Sequence, residues 1–426
     1  MDLHKSYYFI YTNSKFTFAS VHKNTLNNTG FGWNRKQNNM KKIAYIGCLG
    51  IIGVMTTEFG VIGILPQVAQ HYQISIEKAG ILLSAFALVI AFTGPFMALL
   101  ASGFDRKKVM MTAISVFLVT GVVSAFAPPF WLLLLVRILP AFLQPVYIAV
   151  AIAAATAEVK AQKKNEMMGI VLGGIAITMV TTVPLATYLA SKITWQVSFM
   201  VQAAVTLIAL FAIMKGLSPM PVREKKSYGS QLKILTNRSF IISTAMNFFM
   251  IAAWFSTYSY FADYLIKTKH MTNEMVSYML LLFGVTGVFS NWLSGKMLNK
   301  NIPKTTALFL SGTCIIPVAL YFSDGSPITT IMVIAVWGFF YAPCFLNASA
   351  YMISAAPDSL EFANSLATSF GNLGVAVGTT VSGWFIFYYG VAVTPWVGAA
   401  FGLASLAMIG LRSILEIKKH SYAESI

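Results

Sequence analysis

Runs of about 20 apolar residues with almost no charge inside them recur along the whole chain, and that is the length an α-helix needs to cross a hydrocarbon layer about 30 Å thick. Composition agrees. Of the 426 residues 57% are hydrophobic and 10% charged, whereas a soluble domain carries about a quarter charged residues. The bilayer is therefore the solvent. Read between loop signals, the runs fall near 43–66, 79–101, 109–127, 130–154, 167–190, 195–214, 239–264, 275–298, 305–322, 327–352, 364–388 and 393–415. Six lie on each side of the longest loop, 215–238, which is polar and basic and holds Pro219, Pro221 and Gly229. The expectation is an all-α membrane protein with 12 transmembrane helices in two six-helix bundles. The bundles are residues 43–214 and 239–415, with a linker at 215–238, an N-terminal cytoplasmic extension at 1–42 and a tail at 416–426.

The formal charge of +16 invites a nucleic-acid reading until its distribution is followed. Basic residues gather at Arg106, Lys107 and Lys108, at Lys160, Lys163 and Lys164, from Lys215 to Arg238, at Lys296, Lys300 and Lys304, and at Arg412, Lys418 and Lys419. These are alternate loops. The intervening ones carry only Lys78, Lys192, Lys267 and Lys269, so the positive-inside rule places the first set and both termini in the cytoplasm. No nucleic-acid partner is expected. The first 39 residues are Asn-, Thr- and Lys-rich with no apolar run, and they read either as a disordered extension or as a stretch ahead of a good start at Met40-Lys41-Lys42.

Cys48, Cys314 and Cys344 all fall in apolar runs, and three cysteines without framework spacing specify neither a disulfide scaffold nor a zinc site. There is no phosphate-binding glycine loop and no metal-ligand cluster. The five histidines, His4, His22, His71, His270 and His420, lie in loops or termini. No cofactor and no metal are expected, and ATP is not the direct energy source.

The first span holds Thr56-Thr57-Glu58-Phe59-Gly60 followed by Gly63-Ile64-Leu65-Pro66. This stretch resembles the Thr-Glu-Phe…Leu-Pro signature of the bacterial twelve-span drug:proton antiporters of the major facilitator superfamily, which include arabinose, nucleoside and chloramphenicol exporters. The likeness runs from about 43 to 415. It implies two related halves with a substrate site between them near the midplane. Other motifs match with changes. The loop after span two keeps Arg106, Lys107 and Lys108, but Ser102 stands where the superfamily's gating motif usually has Asp, and Asp105 where it often has Gly. A second, weaker copy, Gly295 to Lys300, has Asn299 in place of the acid, so a differently built cytoplasmic latch is expected. Span five matches the antiporter motif at Gly174 and Pro184, with Thr182 and Ala186 replacing glycines. Such small residues let helices approach closely. Spans eight and eleven keep Gly284, Asn291, Asn372, Gly374 and Gly378.

An ionisable group inside a span costs several kcal/mol unless it faces a cavity or a partner. Glu58 lies about 15 residues into span one, and Arg137 about seven residues from the outer end of the oppositely directed span four. At 1.5 Å per residue both sit roughly 8 to 11 Å below the outer surface. The resemblance lets them pair or compete for a proton; the alternative is a static ion pair joining two helices. Gln144 is two turns beyond Arg137 on the same face, and Pro140 and Pro145 around it are expected to break span four, either to expose carbonyls to a site or simply to shape packing. In the second half the cavity candidates are Asn247, Trp254 and Tyr258, on one helix face, with Thr257, Tyr341, Asn347 and Asn372. Lipid-facing or core packing is the alternative for the aromatics. Asp263 reads as a solvated interface charge, with a second proton site as the other possibility.

The function expected is proton-coupled efflux of a small organic molecule of drug, sugar or nucleoside type by alternating access. The protein would act as a monomer in the bacterial inner membrane, with substrate, protons and lipid as its partners. Import or facilitated diffusion of a small metabolite is the alternative. A membrane-embedded enzyme or sensor lacks the soluble domain and the catalytic constellation it would need.

Overall fold

The computed structural model describes residues 40–424, apart from 102, 158, 160, 222–228, 324–325 and 357–359. The stretch 1–39 and Ser102 of the gating loop lie outside the described residues. Twelve helices have the length and composition to cross a membrane. They are α1 (Met40–His71), α2 (Ile76–Met97), α3 (Arg106–Ala125), α4 (Phe130–Thr156), α5 (Glu166–Lys192), α6 (Val197–Gly216), α7 (Arg238–Tyr258), α8 (Asn273–Leu298), α9 (Ile302–Phe322), α10 (Pro327–Ile353), α11 (Phe362–Tyr389) and α12 (Val391–Ile417). No strand occurs among the described residues. The helix containing α12 continues to Glu424, so the tail is helical that far.

Five of these helices are interrupted: α5 breaks at Thr181, and the other four sit at matching places in the two halves. α1 turns at Gly60 and Val61 into a short 3-10 segment, Ile62–Ile64, before Leu65–His71 resumes. α4 stops at Ala141 and restarts at Gln144. α7 ends at Tyr258 and a separate short helix, Phe261–Lys269, follows. α10 breaks between Tyr341 and Cys344. Pro66, Pro145 and Pro343 lie in the restarting turns of three of them, because proline cannot donate the hydrogen bond that continues a helix but is preset for starting one. The expected break of span four is thus present.

α1–α6 and α7–α12 form two six-helix bundles that meet chiefly along α2 against α11 and α5 against α8. The meeting is uneven along the axis. On α11, Val375, Thr379 and Ser382 are buried, while Asn364 and Thr368 on the same face are exposed. Every residue from Gly53 to Leu65 in α1 and from Met250 to Leu265 in and after α7 is buried. One end of the molecule, where α1 finishes, is therefore sealed between the bundles. The other end, where α1 and α11 begin, leaves a polar stripe facing open space.

Candidate functional site

The first half of the site forms where two broken helices meet. Glu58 occupies the last turn of α1 before its interruption, and Gln144 is the first residue of α4 after its own. Glu58, Gln144 and Arg137 are 4%, 3% and 2% exposed. Gln144 Nε2 donates to Glu58 Oε2 at 2.6 Å, and Arg137 Nη2 donates to the Thr57 carbonyl at 2.8 Å. Arg137 also lies over the Phe199 ring, 5.5 Å from its centroid. The two charges are level, as their depths require, yet the amide of Gln144 reaches the carboxylate while the guanidinium holds the preceding carbonyl. Among the described residues no ion pair joins Glu58 to Arg137. Arg137 Nε and Gln144 Oε1 remain without hydrogen-bond partners.

α5 presses against α1 beside this site. Thr56 and Thr182 share a hydroxyl hydrogen bond at 2.6 Å, so the threonine that replaces a glycine in span five ties the two helices together. A Cβ on Gly174 would stand 2.6 Å from the Cys48 carbonyl. Pro184 and Ala186 are buried on the same helix.

The second half of the site is aromatic. Trp254 packs on Tyr341 with centroids 4.0 Å apart and on Phe345 at 4.1 Å. Tyr341 also meets Phe283 at 4.6 Å and Tyr258 at 4.8 Å. Trp254 Nε1, Tyr341 Oη and the nearby Trp337 Nε1 are buried with no hydrogen-bond partner. This cluster reaches the first bundle through Phe59, stacked on Phe255 at 6.0 Å, and through Tyr258 Oη, 3.9 Å from Met179 Sδ. Phe59 stood out in the sequence only as part of the Thr-Glu-Phe signature, and Met179 not at all, since it reads as one more apolar residue.

The three asparagines do not join the cluster directly. Asn247 Nδ2 donates to the Ala367 carbonyl at 2.9 Å, tying α7 to α11. Asn347 Oδ1 accepts from Ser294 Oγ at 3.0 Å, leaving Nδ2 unpartnered. Asn372 Nδ2 donates to Thr368 of its own helix at 3.0 Å, on the polar stripe.

The gating loop fastens to its own bundle. Asp105 caps α3 by accepting from Lys108 N at 3.0 Å and also accepts from Met220 N at 2.7 Å. Arg106 N donates to the Met220 carbonyl at 3.1 Å, and Lys107 Nζ caps α6 through the Met214 and Leu217 carbonyls at 2.9 and 2.6 Å. In the second copy the corresponding cap is Asn301, which accepts from Lys304 N at 2.9 Å; Asn299 ends α8 instead.

Two charged residues differ from their sequence reading. Asp263 is not a solvated charge: it is 2% exposed, with Lys267 Nζ at 3.1 Å. Arg412 is not a loop cation but a buried clasp, donating to Ser243, Tyr351, Ser354 and Glu416. At the sealed end Lys192 of α5 pairs with Glu274 of α8 at 2.6 Å, and Tyr278 Oη donates to Glu274 at 3.0 Å.

Two bundles around a buried polar and aromatic junction, sealed at one end, are the arrangement of a membrane transporter with its site between two halves. A sequence model of the Major Facilitator Superfamily matches residues 47–361, and the chain belongs to that superfamily. It is 25% identical to a probable sugar efflux transporter of Helicobacter pylori (strain G27) over 366 residues, 85% of this chain and 93% of that one. It is 28% identical to the inner membrane transport protein YdhP of Escherichia coli O157:H7 over 337 residues, 78% of this chain and 87% of that one. In fold it is similar to the nucleoside transporter NupG, with a TM-score of 0.69 at 14% identity over 88% of this chain and 99% of that one. It is also similar to a D-xylose-proton symporter, with a TM-score of 0.66 at 16% identity over 87% and 96%.

Proposed function

We propose that this transporter exports small organic molecules of the drug, sugar or nucleoside type in exchange for protons. The observation that carries the reading is Glu58, a carboxyl group buried at the interruption of α1 and held by the amide that opens the second segment of α4. Its charge state depends on the donors and cations that face it. Rocking of one bundle against the other changes that company, so proton binding and conformation are linked. Arg137, one turn before the α4 break, holds α1 by the Thr57 carbonyl and is the cation that can approach Glu58 when the geometry shifts. The aromatic cluster with its unpartnered donors supplies the ligand surface.

In this reading residues 43–214 and 239–415 are the two moving bodies and 215–238 is the linker between them. Gly174, Pro184 and Ala186 allow the close approach of α5 to α1. The polar residues Gln144, Asn247, Asn347 and Asn372 border the path, and Asp105, Arg106, Lys107 and Lys108 steady the cytoplasmic end of the first bundle. The protein acts as a monomer in the bacterial inner membrane with both termini in the cytoplasm, so the sealed end faces outward. The relatives named for sugar efflux and inner-membrane transport support this direction and place.

Purified protein in proteoliposomes, screened for substrates by proton flux, tests coupling and direction together. Proton movement out of phase with substrate is expected; substrate uptake without a pH response means a facilitator instead. An impermeant thiol label applied outside intact cells should reach Gln73→Cys and miss Lys300→Cys. The reverse pattern inverts the topology.

A further inference from the structure

At the sealed end, away from Glu58, a second carboxyl group is built into the seam between the bundles. Asp263 stands on the short helix Phe261–Lys269, which packs against Ile62–Ile64 and Leu65–His71 of the first bundle as well as against α8 and Val391–Val393. It lies beyond the spanning part of α7, yet is 2% exposed. Across the seam stands Glu77, in the first turn of α2, where the helix dipole favours an anion. Tyr260 feels the charge of both acids, and its hydroxyl donates to the Thr379 carbonyl at 3.1 Å. A Cβ on Gly383 of α11 would stand 3.1 Å from Glu77 Cβ and 2.6 Å from Tyr260 Oη.

The other charged groups on the packed elements are engaged elsewhere. Glu274 is taken by Lys192 and Tyr278, and His71 stacks on Trp195 and Tyr72. That leaves Lys267, half in solvent, as the cation at Asp263, and Glu77 as the like charge opposing it. Burial is the largest influence on Asp263 and pushes its carboxyl up; Lys267 pulls it down and Glu77 pushes it up again.

We infer that Asp263 is a proton-binding group of the outer seal, whose neutral form holds the two bundles together and whose charged form, facing Glu77, drives them apart. The inference rests on the reading that the sealed end faces outward. The proton comes from external water when the seam is open and returns there. The sign follows from linkage: the sealed state binds the proton more tightly than the open state, in which Asp263 is hydrated, so acid outside favours sealing. An acidic exterior thereby returns the carrier to the state that is open to the cytoplasm. The seal thus senses the same gradient that the transport reading assigns to Glu58, through a separate group.

A thiol reporter at Ile64→Cys, a buried position in the seam, tests it. Labelling by an impermeant maleimide from outside, normalised to the same reaction at the exposed Ser75→Cys, corrects for thiolate chemistry. Between pH 6 and pH 8 the normalised rate should rise three- to tenfold. Asp263→Asn should flatten it towards the low value, and Glu77→Gln should blunt the rise without abolishing it. In the Glu58→Gln background, where the central carboxyl cannot titrate, part of the rise should remain and Asp263→Asn should remove it, so failure of the coupling reading is seen separately. A flat profile in the parent overturns the inference. So does a full rise in Asp263→Asn, or a rise abolished by Glu58→Gln. Glu77→Gln, which removes the opposing charge and leaves Asp263 intact, keeps the test sharp if the Asp263 variant folds poorly.

Discussion

The two bundles contribute opposite chemistry to the central junction. The first supplies Glu58, Gln144 and Arg137, buried and largely hydrogen-bonded to one another or to backbone. The second supplies stacked rings whose donors, Trp254 Nε1 and Tyr341 Oη, have no partner among the described residues. A buried charge without company costs far more than a buried indole N–H, and in the charged half both Glu58 and Arg137 have a hydrogen-bond partner, with only Arg137 Nε and Gln144 Oε1 left over. An unmade hydrogen bond at a neutral donor costs about 1 to 3 kcal/mol, a debt that an acceptor-bearing ligand can cancel. In the reading proposed above, the first bundle carries protonation and the second carries ligand recognition.

The strongest break in that comparison is Glu58→Gln. The amide keeps the size and much of the polarity of the side chain but cannot titrate. Uphill export should fall to background while exchange of one substrate molecule for another persists, as measured by counterflow in proteoliposomes. Undiminished proton-driven export by this variant would make Glu58 structural and leave the first bundle without its assigned role.

Gln144→Leu comes next. It removes the donor to Glu58 and leaves the volume of the side chain nearly unchanged. A hydrogen bond to a charged group is worth about 1.5 to 3 kcal/mol, so transport at a fixed gradient should fall roughly tenfold and its pH profile should move. A tenfold loss with no change in the pH profile would mean that Gln144 shapes the α4 break without acting on Glu58.

What could be read from the sequence follows from how local each signal is. Twelve spans were legible because the bilayer demands about 20 apolar residues each time, and the α4 break because Pro145 opens its second segment. The end of α7 at Tyr258 was not, since Ser259 and Tyr260 carry no proline or glycine to mark it. Depth arithmetic brought Glu58 and Arg137 level, but rotamers decide which neighbour reaches which, and Gln144 reached the carboxylate first. Asp263 and Arg412 misled for one reason. Each lies near a span end, where charges are usually wet, and each is buried by elements distant in sequence.

On the aromatic side, Trp254→Phe keeps an aromatic ring against Tyr341 and Phe345 while removing the N–H together with part of the indole. One neutral hydrogen bond contributes about 1 kcal/mol, so substrate affinity should weaken roughly fivefold while the pH dependence of transport stays where it was. A shifted pH profile in this variant, with affinity intact, would dissolve the division of labour between the bundles.

The smallest effect is expected at Asn372, and it marks how far the ligand surface extends. Its Nδ2 is already spent on the Thr368 carbonyl one turn back, and only Oδ1 is unpartnered. With Asn364 and Thr368 it forms the stripe of α11 that faces the open end, below the level at which the same face is buried. A group placed there wets the approach but has one free acceptor to offer a ligand. Asn372→Leu should therefore change equilibrium affinity less than twofold, while slowing the rate at which substrate reaches the site from the open side. Binding measured by isothermal titration and rates measured by stopped-flow quenching of tryptophan fluorescence separate the two. If Asn372→Leu weakens affinity as much as Trp254→Phe does, the ligand rests on α11 as well as on α7 and α10. The recognition surface then follows the polar stripe rather than the rings.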